Sequence, residues 1–129
     1  MKSIDPILTG LRVMVVEDQY TIAAEMRRLL EPLGVELVGP FAGVDQAMKA
    51  TKSAIDVALL DINLQGFSVF PVADELTLQG VPYAFVTAYE ANVLPPAYQN
   101  AARIEKPVDR TALLRMLKFL AGNQAQKSA

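Results

Sequence analysis

The chain has 129 residues with a formal net charge of −2, and its 52% hydrophobic and 20% charged residues are typical of one globular domain. It contains neither cysteine nor histidine, which excludes disulfides, thiolate zinc sites, imidazole general bases and a phosphohistidine on this chain. The mild acidity argues against a nucleic-acid partner, and the apolar runs are too short to span a membrane. Because the first ten residues lack the apolar core of a signal peptide, we expect a cytoplasmic protein.

Short blocks rich in Val, Ile and Leu alternate with amphipathic stretches along the chain. The blocks predict strands that are buried on both faces, at Leu11–Val16, Val35–Val38, Ile55–Leu60, Tyr83–Val86 and, more weakly, Ala102–Glu105. The stretches between and after them predict helices, at Gln19–Leu33, Val44–Thr51, Ser68–Gln79 and Asp109–Ala121.

Local signals mark where these elements end. We expect Pro32 to disturb the last turn of the first helix and Gly34 to end it. Asp109 predicts the N-cap of the last helix and Gly122 its C-cap. Because the adjacent prolines of LPPAYQNA interrupt the connection between the last two strands, the fourth helix of the alternation should be short, displaced or absent.

The alternation predicts a doubly wound α/β fold, with one parallel sheet and helices on both of its faces. We divide the chain into an N-terminal extension (1–10), one α/β domain (11–121) and a polar tail (122–129). No further domain is expected after Ala121.

Five polar side chains follow the predicted strands, at the edge of the sheet where open α/β folds bind ligands. Glu17 and Asp18 come after the first strand, Asp61 and Thr87 end the third and fourth, and Lys106 follows the fifth. Each residue alone has an ordinary explanation as a cap, turn or strand residue, but no structural need places all five together. Three carboxylates against one ammonium leave a net negative cluster, and oxygen ligands of this kind suit Mg²⁺. A metal, a lysine, a hydroxyl and a nucleophilic carboxylate are the groups that phosphoryl transfer requires.

With these residues in place, the chain resembles the CheY-like receiver domains of two-component response regulators over residues 11–121. The matching segments, in chain order, are VMVVEDQ, VALLDINLQG, FVTAYE and IEKPVD. The resemblance implies a five-stranded sheet of order 2-1-3-4-5 and a phosphoryl group accepted on Asp61 from a histidine kinase or histidine phosphotransferase. It also implies contact with a downstream protein and no turnover of an external substrate.

The resemblance further assigns roles around Asp61. Asp18 would bind Mg²⁺ directly, Glu17 largely through water, and Asp61 and the backbone carbonyl of Asn63 would complete the protein ligands. The resemblance also implies that Thr87 and Lys106 contact the phosphoryl group. Ala88 would be the small residue that leaves room for that group, and the Lys106–Pro107 peptide bond would be cis.

A narrower similarity concerns residues 82–89, PYAFVTAY. They are similar to the Phe-Ala-Thr-Gly-Tyr type motif of stand-alone receivers in alphaproteobacterial stress signalling, although Val86 and Ala88 replace the Ala and Gly. Many receivers carry an aromatic residue three positions before the lysine, where this chain has Arg103. In those receivers the aromatic side chain swings inward on phosphorylation. The resemblance therefore leaves Tyr89 as the aromatic residue that would replace it in this switch.

Two further segments predict surfaces that serve signalling. We expect Glu90–Ala101 to be the least ordered part of the domain and to reorganise when Asp61 is modified. The last helix carries an apolar arc of about 220°, wider than one buried face requires. Its surplus, at Phe119 and Met116 or at Leu114, predicts a homodimer interface or a partner-docking site.

Two other functions compete with the acceptor role. A haloacid-dehalogenase-like phosphatase needs a second aspartate two residues after its nucleophile, and position 63 is Asn. A receiver-fold interaction protein that acts without phosphorylation stays the alternative. The sequence has neither the GxxxxGK[ST] loop nor the GxGxxG turn of nucleotide-binding proteins.

Overall fold

A computed structural model describes residues 6–62, 64, 68–88 and 94–128 of the chain. These residues form one parallel five-stranded sheet of order β2-β1-β3-β4-β5. The strands are β1 (Arg12–Val16), β2 (Glu36–Phe41), β3 (Val57–Asp61), β4 (Tyr83–Thr87) and β5 (Ala102–Glu105). The predicted doubly wound fold and its strand order are thereby confirmed.

Helices cover both faces of the sheet: α1 (Tyr20–Leu30), α2 (Val44–Ala50), α3 (Phe70–Leu78) and α4 (Arg110–Ser128). One buried apolar cluster joins α1 and α4 to alternate residues of the strands, such as Val13 and Leu59. A second cluster joins α2 and α3 to their neighbours in the same strands, such as Met14 and Leu60. Successive strand residues point to opposite faces, so both faces need apolar residues. This explains the continuous apolar runs in the sequence.

The structure confirms most of the predicted helix ends. After Leu30 the chain enters a short 3-10 turn (Glu31–Leu33) that contains Pro32, and Gly34 ends it with φ +84°. The Asp109 carboxylate caps α4 by accepting a hydrogen bond from the Ala112 N–H at 2.7 Å.

Two predicted boundaries are wrong. The helix α4 passes the expected C-cap at Gly122 and continues to Ser128, because one glycine costs a helix only about 1 kcal/mol and the residues after it favour helix. Strand β2 continues beyond Val38 to Phe41. It tolerates Pro40 because β2 lies at the sheet edge, where a strand can dispense with one N–H donor.

The connection between β4 and β5 matches the expected loss of a regular fourth helix. Over its described residues, 94–101, it contains a single 3-10 turn, Pro96–Tyr98. Leu94 is buried, and both Tyr98 and Ala101 pack against the cluster on the α3 side. The other described residues between Leu94 and Ala101 are exposed. The expectation that Glu90–Ala101 is the least ordered part of the domain stays a prediction, and its residues 90–93 lie outside the described part. Within that part, none of the helices combines the length and apolar composition needed to cross a bilayer.

Leu8 belongs to the core, although the predicted domain boundary leaves it in the N-terminal extension. Its side chain is 0% exposed, whereas the neighbouring Ile7 is 56% exposed. It packs in the cluster that contains Leu33 and Leu113, and the Gly10 N–H donates to the Gly34 carbonyl at 2.8 Å. The N-terminal turn therefore closes the end of the domain opposite the carboxyl edge of the sheet.

We expect Leu8→Ala to lower the free energy of unfolding by about 3 kcal/mol, since it opens a cavity in a packed cluster. Urea unfolding followed by circular dichroism measures the loss. Ile7→Ala is the matched control, because it removes an exposed side chain one position away. Equal stabilities of the two variants would show that the turn adds nothing to the core.

Candidate functional site

The carboxyl edge of the sheet brings the predicted site residues together. In the sheet register, Asp61 of β3 lies beside Val86 of β4, the residue before Thr87. The backbone N–H of Lys106 donates to the Thr87 carbonyl at 2.7 Å, which fixes the end of β5 against the end of β4. The Lys106–Pro107 bond is cis, as the resemblance implies.

Three carboxylates form the centre of the site. One oxygen from each of Glu17, Asp18 and Asp61 lies within 4.8 Å of the others. Glu17 and Asp61 are only 2% and 1% exposed. Carboxylates so close together in a buried place repel one another unless a proton or a cation intervenes.

Lys106 supplies part of the compensation. Its Nζ lies 3.1 Å from Asp61 Oδ1 and 3.4 Å from Glu17 Oε1. Burial, together with the hydrogen bond and the negative charge of Asp61, raises the pKa of Glu17 to about 7, against the opposing effects of Lys106 and of the Gln19 N–H. The single ammonium of Lys106 therefore does not offset the cost of ionising every carboxylate in the cluster.

The cluster fits a hard divalent cation. Its ligand atoms are all carboxylate oxygens, and the buried Glu17 Oε1 has no hydrogen-bond partner among the described residues. Mg²⁺ binds through one or two carboxylates and keeps several waters or phosphate oxygens, so Glu17, Asp18 and Asp61 suffice as its protein ligands. Asn63, whose carbonyl is also expected to bind the metal, lies outside the described residues.

Thr87 ends β4 at the same edge and is buried, with 2% of its surface exposed. Its hydroxyl donates to the Ala88 carbonyl at 3.0 Å. A hydroxyl held by a neutral carbonyl can turn to a stronger, charged acceptor. Thr87 follows Val86, the partner of Asp61 in the sheet register.

The sequence singles out two positions for the aromatic residue of the switch, 103 and 89, and the structure describes only position 103. Arg103, at the position where many receivers have an aromatic residue, is exposed, and its guanidinium donates to the Gln99 carbonyl at 2.9 Å. Tyr89 lies outside the described residues, so its switch role stays a prediction.

Sequence reasoning missed Tyr98. Its ring stacks on Phe70 of α3 with centroids 4.3 Å apart, and its hydroxyl donates to Asp74 at 2.7 Å. The available signal was an aromatic residue directly after the exposed Pro-Pro-Ala run, where the chain has to turn back onto the domain.

The model of the response regulator receiver domain family matches residues 13–118. The comparison with curated proteins gave no match. The matched range contains every site residue described above and excludes Leu8 and the last turns of α4.

Solved structures with the same fold include several receiver domains. The solution structure of SdrG from Sphingomonas melonis Fr1 is 28% identical, with a TM-score of 0.76 over 90% of this chain and 98% of that chain. A CheY-like receiver domain from Methanospirillum hungatei JF-1 is 24% identical, with a TM-score of 0.78 over 92% and 99% of the two chains. The receiver domain of the sensor histidine kinase PA1611 from Pseudomonas aeruginosa PAO1, described with a magnesium ion in its active site cleft, is 23% identical, with a TM-score of 0.73 over 88% and 99%.

Proposed function

The chain belongs to the response regulator receiver domain family, and from this we propose that it is a response regulator whose Asp61 accepts a phosphoryl group. The donor is a phosphohistidine of a sensor histidine kinase or of a histidine phosphotransferase. The observation that carries the proposal is the buried Asp61 carboxylate, held 3.1 Å from Lys106 Nζ and beside Glu17 and Asp18.

The chemistry follows from these groups. An oxygen of the Asp61 carboxylate attacks phosphorus, so that a new O–P bond forms while the P–N bond to the donor imidazole breaks and its electron pair returns to nitrogen. The Lys106 ammonium, already in contact with Asp61, neutralises charge on the phosphoryl oxygens. Mg²⁺ held by Glu17, Asp18 and Asp61 would supply the remaining positive charge. The magnesium described in the cleft of the similar P. aeruginosa receiver domain supports this assignment.

Thr87 contributes to the conformational response more than to phosphoryl transfer. In the unphosphorylated protein its hydroxyl donates to the neutral Ala88 carbonyl. A phosphoryl oxygen is a stronger acceptor because it is charged, so the hydroxyl turns towards Asp61 after transfer. The small Ala88 side chain leaves room for the group, and Tyr89 is the proposed aromatic partner in the switch.

The partial Phe-Ala-Thr-Gly-Tyr type motif at residues 82–89 supports assignment to that stand-alone subgroup. Phosphatase turnover of the haloacid-dehalogenase kind is disfavoured because position 63 is Asn and therefore cannot act as its acid or base.

Incubation with a panel of phosphorylated histidine kinases, with Mg²⁺ and with EDTA, tests the acceptor role. Label that reaches the protein equally well in EDTA would contradict the metal requirement.

The outer surface of α4 supports a homodimer. Phe119 is 57% exposed, whereas Met116 and Leu114 are half-buried against the core, so the surplus apolar surface lies on the Phe119 flank. The groove between β5 and α4 beside Phe119 carries both signs of charge, and its charged lining residues are Arg103, Glu105, Asp109 and Arg115. A patch with balanced charges can pair with its own copy across a two-fold axis.

We expect Phe119→Glu to weaken self-association at least ten-fold, because it places a carboxylate in an apolar contact. Sedimentation velocity over a concentration series measures the change. Thr111→Glu, an equal charge change at an exposed position of the same helix, is the matched control and should associate like wild type. Identical sedimentation of Phe119→Glu and wild type would contradict the interface.

A further inference from the structure

Tyr98 attaches the connection between β4 and β5 to α3 at two points. Its ring stacks on Phe70 with an interplanar angle of 12°, and its hydroxyl donates to the Asp74 carboxylate at 2.7 Å. Phe70 and Asp74 are one helical turn apart and lie on the same face of α3. The tyrosine therefore spans one turn of the helix along its length.

The stack lies between the helix that follows Asp61 and the strand that ends at Thr87. Phe70 begins the helix that follows Asp61, and Phe85 precedes Thr87 by two residues on the same face of β4. The buried Phe85 ring meets the other two rings edge-on, with centroids 5.8 Å from Phe70 and 6.0 Å from Tyr98. A displacement at the start of α3 or at the end of β4 would therefore change the packing of the Tyr98 ring.

Among the described residues of the connection, most of those around Tyr98 are exposed. Leu94 is buried, but Pro95, Pro96 and Ala97 are exposed, and the Gln99 side chain reaches the Leu94 carbonyl only at 3.4 Å. The carboxylate of Asp74, together with partial burial, raises the pKa of Tyr98 to about 12.

We propose that Tyr98 is a positioning residue that latches residues 94–101 onto α3 while Asp61 is unphosphorylated, and that phosphorylation releases it. The inference rests on the proposed acceptor role of Asp61. When the Thr87 hydroxyl turns to the phosphoryl group, it leaves the Ala88 carbonyl, and the end of β4 shifts against Phe85. The hydrogen bond from Tyr98 to the exposed Asp74 breaks before the packing of the buried Phe85 ring is lost, because water can replace either partner of that bond.

Amide hydrogen exchange of the unphosphorylated protein tests the latch itself. Reporter amides are those of Tyr98, Gln99 and Ala101, which donate to carbonyls within the segment. Tyr98→Phe keeps the ring and removes the hydroxyl. We expect these amides to exchange about ten-fold faster in this variant, because it loses one hydrogen bond to a charged group. Tyr20→Phe, which removes the hydroxyl of an 86% exposed ring on α1, should exchange like wild type. Wild-type exchange in Tyr98→Phe overturns the latch.

The phosphoryl mimic beryllofluoride tests the coupling. In wild type with Mg²⁺, binding of the mimic should accelerate exchange of residues 94–101 about ten-fold, while Tyr98→Phe, already released, should change less than two-fold. The ¹⁹F resonance of bound beryllofluoride reports occupancy of Asp61 independently. A wild-type protein that binds no mimic overturns the acceptor role, whereas an occupied protein with unchanged exchange, or an equal response in Tyr98→Phe, overturns the latch.

Discussion

Asp61→Asn is expected to abolish phosphoryl transfer to the protein while leaving the fold intact. The amide cannot act as the nucleophile, and the Asp61 carboxylate that it replaces lies 3.1 Å from Lys106 Nζ. The substitution removes one of three carboxylates whose oxygens lie within 4.8 Å of one another. In the absence of Mg²⁺ the variant should therefore unfold no more readily than wild type.

Label transfer from a phosphorylated histidine kinase, followed by phosphate-affinity electrophoresis, measures this effect. Asp45→Asn is the matched control, because it makes the same chemical change at an exposed position in the first turn of α2. Urea unfolding with and without Mg²⁺ completes the comparison, and the stabilisation by the metal should shrink in Asp61→Asn. Label on Asp61→Asn at the level of Asp45→Asn would show that the acceptor is another residue.

The site was predictable because its residues lie at strand ends. Apolar blocks such as VALL are buried on both sides of a parallel sheet and can be read locally, and the parallel topology then brings their carboxyl ends to one edge. The meeting of Asp61 and Lys106, distant in the sequence, follows from that topology alone. No knowledge of side-chain packing is needed for it.

What sequence reasoning missed depends on packing between distant residues. Leu8 lies in a short stretch without periodicity, and only the fold shows that it fills the end of the α1/α4 cluster. Tyr98 reads as a loop residue until α3 places Phe70 under its ring. The length of α4 depends on the residues that follow Gly122, whose helical tendency outweighs one glycine.

Lys106→Met should destabilise the protein strongly, and a second substitution should reverse the loss. The lysine side chain is 19% exposed, whereas those of Glu17 and Asp61 are 1% exposed, so removal of the ammonium leaves two buried carboxylates facing each other. We expect the free energy of unfolding to fall by about 2 kcal/mol, less than for a fully buried pair because water reaches the site. Methionine preserves most of the apolar stem and thus isolates the effect of the charge.

The double variant Lys106→Met/Asp61→Asn distinguishes charge from packing. If the ammonium acts by compensating Asp61, the second substitution should restore most of the lost stability, and Mg²⁺ should stabilise Lys106→Met more than it stabilises wild type. Lys52→Met, at an exposed position, is the control for loss of a lysine charge and should unfold like wild type. A double variant as unstable as Lys106→Met would contradict the compensation of Asp61 by the ammonium.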